Sequence, residues 1–347
     1  MRPFAFDHAS TLAGAVQAAG HAQSAFLAGG TTLIDLMKLD VMQPDFVIDI
    51  NHLSDSAPGK IERTADGLRL GALVRMADAA AHPDIRRDLP VIAQSLDLAA
   101  SAQLRNMASL GGNVLQRTRC PYFRAEEPLP WPCSKRAPGS GCASLAGRHE
   151  RQAIFGWTQD CVAVQPSDPA VALAALDARA DVLGPAGPRT IPMREFHLTQ
   201  REAAAAGEPM RETRLGADEL ITGYRLPVST AGQAYVKVRE RASYEYAIVS
   251  AAADVRLAEG AGGPRAAGAG EQRIAAARVA LGSVAQRPWR LTAAEAELPG
   301  TPLTREALLP VIERAMADAV PLPQNGFKVT MARNAAVRAL LAAGGAA

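Results

Sequence analysis

Apolar and polar positions along the first hundred residues predict short strands that alternate with helices. Apolar runs predict strands at 26–28, 46–50 and 68–72, and helical spacing predicts helices at 10–20, 33–38, 76–82 and 91–100. Ser10 is the expected N-cap of the first helix, and Pro83 is expected to end the third. Alternation of this kind is an α/β pattern.

The pattern changes further along the chain. A helix is predicted at 169–178 with Ser167 or Asp168 as its cap, then a hairpin at 180–183 and 189–191, and a strand at 220–226. From about residue 230, strands are predicted at 234–238, 247–257 and 274–282, a Gly/Ala-rich hairpin loop at 259–272, and helices at 293–297, 305–319 and 329–342. This order predicts a second, α+β domain.

Composition narrows the class of protein. The 347 residues allow two or three domains, and 48% hydrophobic and 21% charged residues are typical of a globular protein. The net charge of +2 gives no general attraction to nucleic acid or anionic membranes, and no apolar run reaches the length of a membrane span. Residues 1–7 contain neither an apolar signal core nor twin arginines. We therefore expect no export signal, although the chain could leave the cytoplasm bound to a signal-bearing partner.

Two glycine turns are candidate anion sites. Gly29-Gly30-Thr31-Thr32 separates a predicted strand from a predicted helix, with threonine as the expected cap. Ser109-Leu110-Gly111-Gly112-Asn113 is the second turn. Turns of this type let backbone N–H groups approach an anion, although each alone is equally explained as a tight turn with a capped helix. Because no G-x-G-x-x-G or P-loop lysine motif is present, a Rossmann or Walker nucleotide site is not expected.

Four cysteines are the third signal. Cys120, Cys133, Cys142 and Cys161 are the only cysteines in the chain, and they fall within 42 residues with the spacing C-x12-C-x8-C-x18-C. Close C-x2-C pairs, typical of structural zinc, are absent. An iron–sulfur cluster reached from irregular loops accounts best for the clustering, while zinc, disulfides in an exported protein and inert thiols remain open. Residues 100–160 carry eight Lys/Arg and four Asp/Glu, which suits an anionic cluster or a basic surface.

These motifs, in this order, resemble a known family. The matching segments are Leu27–Leu33, Ser109–Asn113, Pro166-Ser167-Asp168 and Lys237-x3-Arg241-x3-Glu245-x-Ala247. Together they resemble the FAD-binding medium subunit of xanthine dehydrogenase-type molybdenum hydroxylases, over nearly the whole chain. Within the family, the resemblance is greatest to the FAD subunits of bacterial periplasmic aldehyde oxidoreductases, three-subunit enzymes whose flavin subunit has an extra [4Fe–4S] cluster in an insertion. Here the insertion is 118–164.

The resemblance implies the fold and the site residues. The implied fold class is α+β: a two-subdomain FAD-binding domain (PCMH/VAO-like) over about 1–225, and a C-terminal α+β domain like that of CO dehydrogenase flavoproteins over about 230–340. The implied metal ligands are the four cysteines, with no catalytic residue in this chain. The implied FAD-binding residues are Leu27, Ala28, Gly29, Gly30, Thr31, Thr32, Leu33, Ser109, Gly111, Gly112, Asn113, Thr118, Asp168, Ile221, Lys237 and Tyr244.

Roles follow from the same resemblance. Residues 28–33 would cradle the FAD pyrophosphate, the second turn would clamp it, and Asp168 would bind a ribityl or adenosine hydroxyl. Ile221 and Lys237 would line the flavin ring. Tyr244 replaces an acidic residue of the NAD-using enzymes, so NAD is not favoured as the acceptor.

The implied function is electron transfer. A molybdenum-cofactor large subunit would oxidise an aldehyde to an acid, and a [2Fe–2S] small subunit would pass electrons to FAD and on to an external acceptor. The periplasm is expected through co-export, with the cytoplasm as the alternative. Three other functions remain open: a flavin subunit like that of 4-hydroxybenzoyl-CoA reductase, a self-contained flavin oxidase, and a non-enzymatic scaffold with a zinc-stapled loop.

Overall fold

The computed structural model describes residues 1–229, 231–258 and 272–346. Its strands are β1 Ala5–His8, β2 Ser24–Leu27, β3 Phe46–Asp49, β4 Ile61–Thr64, β5 Gly67–Gly71, β6 Arg179–Gly184, β7 Gly187–Pro192, β8 Leu220–Pro227, β9 Gly232–Val238, β10 Val249–Leu257, β11 Ile274–Gly282 and β12 Trp289–Arg290. Its helices are α1 Leu12–Ala19, α2 Leu33–Lys38, α3 Met76–Ala81, α4 Pro83–Asp88, α5 Pro90–Asp97, α6 Ala102–Met107, α7 Leu110–Val114, α8 Ala143–Ala146, α9 Asp168–Ala175, α10 Met193–Phe196, α11 Gln200–Ala205, α12 Thr292–Glu297, α13 Arg305–Ala315 and α14 Phe327–Ala343.

The first subdomain is a small parallel sheet. Its strands lie in the order β1-β3-β2, with Phe46 of β3 opposite both Ala5 of β1 and Ser24 of β2. Helices α1 and α2 cover the sheet because their apolar positions recur at helical spacing, and Ala15 and Leu36 are fully buried. The sheet ends where the first glycine turn begins.

The second subdomain is an antiparallel sheet in the order β4-β5-β8-β6-β7. Helices α5 and α9 pack together, and α9 is buried along its whole length. The predicted hairpin of β6 and β7 is confirmed. The first hundred residues are therefore not one parallel α/β sheet, because β4 and β5 run antiparallel and join strands from residues 179–227.

The C-terminal unit is an antiparallel sheet, β12-β11-β10-β9, packed against α12, α13 and α14. The predicted pairing of 274–282 with the preceding strand is confirmed, with Ala253 opposite Val279. The predicted loop at 259–272 lies outside the described residues except for Gln272. A mixed α+β architecture with these two parts is what the sequence predicted.

Two local predictions were wrong. Thr11, not Ser10, caps α1, because its hydroxyl accepts from the N–H of Gly14 at 3.0 Å. Thr32 precedes α2 but its side chain makes no capping bond. The prediction that Pro83 ends a helix is confirmed, since α3 ends at Ala81. Pro83 also starts α4, where its missing N–H costs nothing in the first turn.

The insertion at 118–164 contains one helix among its described elements, the four-residue α8. The C-terminal unit anchors its later part. The ammonium of Lys328 is fully buried and donates to the carbonyls of Arg151, Gln152 and Ser283 at 3.0, 2.7 and 2.7 Å. Asn325 donates to the carbonyls of Gln152 and Ala153, both at 3.2 Å.

Among the described helices, none has the length and apolar character needed to cross a membrane.

Candidate functional site

Both glycine turns open onto one cavity between the first two subdomains, here called the glycine cavity. Its volume is about 330 Å³, within the size range of cofactor sites. Of the predicted residues, those that line it are Ala28, Gly29, Gly30, Thr31, Thr32, Leu33, Ser109, Gly111, Gly112 and Ile221. Two turns about eighty residues apart in sequence thus form two walls of one site.

The first turn offers backbone donors and very little room. In the described part of the chain, the N–H groups of Gly29, Gly30 and Thr31 donate to no protein acceptor. A Cβ on Gly29 would lie 1.9 Å from the carbonyl oxygen of Met107, so only glycine fits there. Gly30 has φ +72°, which favours glycine again. Free N–H groups in a close-approach turn fit an anionic pyrophosphate.

The second turn is the first turn of α7 rather than a loop. Ser109 caps this helix, and its hydroxyl accepts from the N–H of Gly112 at 3.1 Å. The N–H groups of Leu110 and Gly111 bond to the carbonyls of Val74 and Ala72, which fixes the turn beside the strands of the second subdomain. The small residues at 111 and 112 leave the cavity wall open.

Several predicted residues lie away from the glycine cavity. Asn113 is held inside the protein, where its side-chain oxygen accepts from Ser167 at 2.7 Å. Leu27, the last residue of β2, precedes the cavity wall. Tyr244 is 57% exposed with φ +53°. Thr118 is buried beside the cysteines, and its hydroxyl accepts from the N–H of Cys120 at 3.2 Å.

Asp168 and Lys237 are brought together, but with each other rather than in the glycine cavity. The Lys237 ammonium lies 2.8 Å from one Asp168 oxygen, and the Tyr235 hydroxyl donates to the other at 2.7 Å. Both charged side chains are at most 5% exposed. The pair joins α9 to β9 of the C-terminal unit. Direct contact of Asp168 with a cofactor hydroxyl stays a prediction.

All four cysteines line a second, enclosed space, here called the cysteine cavity. The free volume between them is about 20 Å³. Cys133 and Cys142 face each other in an antiparallel bridge, and all four are free thiols. No group of three or more His, Cys, Asp or Glu among the described residues could hold a single metal ion.

Burial disfavours the thiolate form of three of these cysteines. Burial raises the pKa of Cys120 to about 11 and raises the pKa of Cys133. Burial also raises the pKa of Cys161, although the ammonium of Lys135 opposes this effect. The side-chain amide of Gln152 donates to the sulfur of Cys120 at 3.4 Å. Four convergent thiols with an amide donor and a nearby cation suit an anionic iron–sulfur cluster.

Sequence reasoning missed three charged residues between the cavities. Lys135 lies 2.7 Å from Glu212, and the Arg117 guanidinium binds the same carboxylate at 3.0 and 3.3 Å. Burial alone would raise the pKa of Glu212, but Lys135 and Arg117 outweigh it and lower the pKa to about 2. Lys135 could have been noticed from its place between two cysteines. Glu212 gives no sequence signal, because it lies 77 residues from Lys135.

Family models match most of the chain. Residues 2–229 match the FAD binding domain in molybdopterin dehydrogenase, and residues 234–343 match the CO dehydrogenase flavoprotein C-terminal domain. Together they cover nearly all of the described architecture.

Individual relatives agree with these matches. The chain is 42% identical, over 96% of each sequence, to the aldehyde oxidoreductase FAD-binding subunit PaoB of Escherichia coli K12. It is 23% identical to the putative xanthine dehydrogenase FAD-binding subunit XdhB of the same strain, over 91% of this chain and 86% of that one. The fold matches a carbon monoxide dehydrogenase chain from Hydrogenophaga pseudoflava with a TM-score of 0.72 at 24% identity, covering 99% of this chain and 97% of that one.

Proposed function

This chain belongs to the FAD-binding medium subunits of the molybdenum hydroxylases, a family of oxidoreductase subunits, and from that premise we propose that it is the electron-transferring flavin subunit of a molybdenum-dependent aldehyde oxidoreductase. The observation that carries the proposal is the presence of two cavities in one chain: one is lined by glycine turns, and one by four cysteines. Membership of an oxidoreductase family removes the scaffold alternative.

The glycine cavity suits FAD because its walls provide backbone donors without side chains in the way. FAD, when bound, takes up electrons one or two at a time and releases them to an acceptor. The residues of the first turn would hold the pyrophosphate through the free N–H groups of Gly29, Gly30 and Thr31. Ser109 would keep the facing turn rigid. No general base or nucleophile is required of this chain.

The cysteine cavity supports a [4Fe–4S] cluster. A cluster of this kind binds four thiolates from irregular loops and exchanges single electrons. The four cysteines, the N–H···S bond from Gln152 and the nearby ammonium of Lys135 form a suitable donor set.

The partners, the substrate and the location of the assembly are further parts of this proposal, and similarity to an aldehyde oxidoreductase subunit supports the substrate class. An aldehyde oxidoreductase subunit at 42% identity favours an aldehyde as the substrate of the assembly. The chain would receive electrons from a [2Fe–2S] small subunit after a molybdenum-cofactor large subunit oxidises the aldehyde to an acid. Export to the periplasm with a signal-bearing partner is part of the same proposal. Fractionation of cells would locate the protein.

The test is an anaerobic absorbance spectrum of the purified protein, with FAD, iron, zinc and acid-labile sulfide measured on one sample. We expect flavin bands, a broad shoulder in the blue, and about four irons and four sulfides per flavin. Cys133→Ser should lower iron and sulfide and leave FAD in place, because Cys133 lines only the cysteine cavity.

Each other outcome has a distinct meaning. Flavin without iron or sulfide would overturn the cluster and leave disulfides or inert thiols. Flavin with one zinc and no sulfide would replace the cluster with a structural ion. Activity with purified partners and a set of aldehydes, against 4-hydroxybenzoyl-CoA as the rival substrate, would test the substrate class.

A further inference from the structure

A row of three charged side chains connects the cysteine cavity to the glycine cavity. Lys135 lines the cysteine cavity and also a small adjoining cavity of about 20 Å³. Glu212 lines that adjoining cavity and the glycine cavity, and Arg117 lines the glycine cavity. The three residues are here called the charge bridge. It spans the protein between two sites that the proposed function fills with redox cofactors.

The charge bridge is largely buried. Its side chains are 10% (Lys135), 26% (Glu212) and 23% (Arg117) exposed. Arg117 donates to both oxygens of the Glu212 carboxylate at 3.0 and 3.3 Å, and Lys135 donates to one of them at 2.7 Å. Arg117 also stacks over the ring of Phe123, which itself lines the cysteine cavity. Low exposure limits screening by salt and water, so these charges act strongly on their neighbours.

The arrangement places one cation at each cavity and the single anion between them. An electron that enters either cofactor makes that site more negative by one charge. The electron comes from the partner's iron–sulfur clusters and leaves for the external acceptor, so no other reactant is needed. A nearby cation stabilises the reduced form, and the shared carboxylate opposes it at both sites.

We propose that the charge bridge sets the reduction potentials of the two cofactors, with Lys135 acting on the cluster, Arg117 on the flavin, and Glu212 positioning both cations. This inference rests on the proposed function, since it needs a cluster in the cysteine cavity and FAD in the glycine cavity. It assigns a role in electron transfer to three residues that lie outside both glycine turns and are not among the four cysteines.

The test is a redox titration of the complete enzyme, with the cluster followed by electron paramagnetic resonance and the flavin by absorbance. At an effective dielectric constant of about 20, one unit charge within about 12 Å changes a one-electron equilibrium about tenfold. Lys135→Met should therefore lower the ratio of reduced to oxidised cluster about tenfold at a fixed potential, which corresponds to a fall of about 59 mV in the reduction potential of the cluster. Lys135→Arg should restore it. Arg117→Met should lower the reduced fraction of the flavin and have a smaller effect on the cluster, because Arg117 lies on the far side of Glu212 from the cysteine cavity.

Two further variants complete the design. Glu212→Gln should raise the reduced fraction of both cofactors, because it removes the shared negative charge. Lys60→Met removes the same charge from an exposed position and should change neither. If Lys135→Met does not fold, the redox titration of Glu212→Gln alone tests whether the charge bridge sets the two potentials.

The outcomes separate the two proposals. Cluster potentials of Lys135→Met and Glu212→Gln that equal that of Lys60→Met, in protein with a full complement of iron, would overturn the charge bridge and leave the proposed function standing. Wild-type protein without iron and sulfide would overturn the cluster, and with it the role of Lys135. Arg117→Met would then still test whether Arg117 sets the reduction potential of the flavin.

Discussion

The glycine cavity and the cysteine cavity are neighbours built in opposite ways. The glycine cavity is made of backbone, at the points where regular elements such as β2 and α7 end or begin. The cysteine cavity is made of side chains on an insertion that contains a single four-residue helix among its described elements. Most of the support for the insertion comes from outside its own secondary structure.

Side-chain contacts to backbone carbonyls hold the insertion together. Arg136 donates to the carbonyls of Phe123 and Ala125 at 2.9 and 3.0 Å, and Lys328 of the C-terminal unit donates to two more, those of Arg151 and Gln152. The comparison teaches a rule about fragility. A backbone site fails when a side chain is added, whereas a side-chain site fails when one is removed.

The largest expected loss of stability comes from a residue outside both cavities, and it tests whether the two cavities account for the whole binding site. Lys237→Met leaves the buried carboxylate of Asp168 without its cation, which should lower the free energy of unfolding by about 3–5 kcal/mol. Chemical denaturation measures this, with the exposed Lys60→Met as the control. If Lys237 also contacts the flavin, FAD content will fall even under conditions where the variant is fully folded, and a third region must be added to the site.

The next effect tests the backbone site directly. Gly29→Ala should lower the free energy of unfolding by about 3 kcal/mol and reduce FAD content, because the new Cβ would overlap the carbonyl of Met107. Iron content should stay unchanged. Gly326→Ala is the matched control, since it has nothing within 4 Å and φ −55°. Normal FAD content in Gly29→Ala would contradict a backbone-built site.

A smaller effect concerns pH and the charge bridge. The lowered pKa of Glu212 contributes stability that is fully present above pH about 4.5 and is lost as pH falls toward about 2. The loss should be roughly 2 kcal/mol after allowance for partial exposure. Between pH 6 and pH 3, the free energy of unfolding should fall less steeply for Glu212→Gln than for the wild-type protein. Parallel curves for the two proteins would show that the carboxylate is not held in the charged form.

The smallest effect tests the second glycine turn. Ser109→Ala removes the hydroxyl that accepts from the N–H of Gly112, so it should cost about 1 kcal/mol. FAD affinity should weaken slightly, while iron stays bound. Ser109→Asn keeps an acceptor at the cap and should recover most of the stability. An equal loss in both variants would mean that the cap is not what holds the turn.

Sequence reasoning succeeded where a local pattern determines the structure. The glycine turns, the hairpin of β6 and β7, and the pairing of β10 with β11 each follow from residues close together in the chain. It also brought the four cysteines to one place, because clustering in sequence limits how far apart they can lie. The family resemblance supplied the order of the domains.

What sequence reasoning missed depends on long-range packing. The antiparallel sheet joins β5 with β8, which begin at residues 67 and 220, and no local pattern indicates this pairing. The partners of Asp168 and Glu212 lie 67 to 95 residues away in sequence. A buried charge shows its role only when its partner is known, so Asp168 could be assigned to a ligand on motif evidence alone.

Lys328 has a consequence for the order of events during synthesis. It follows Arg151, whose carbonyl it binds, by 177 residues. At ~5–20 residues per second, the ribosome takes roughly 10–35 s to bridge that interval. Throughout this time the insertion lacks its C-terminal anchor, because Lys328 has not yet been synthesised. The contacts that fix the backbone at Arg151 and Gln152 therefore form only after α14 has been made and has packed against the insertion.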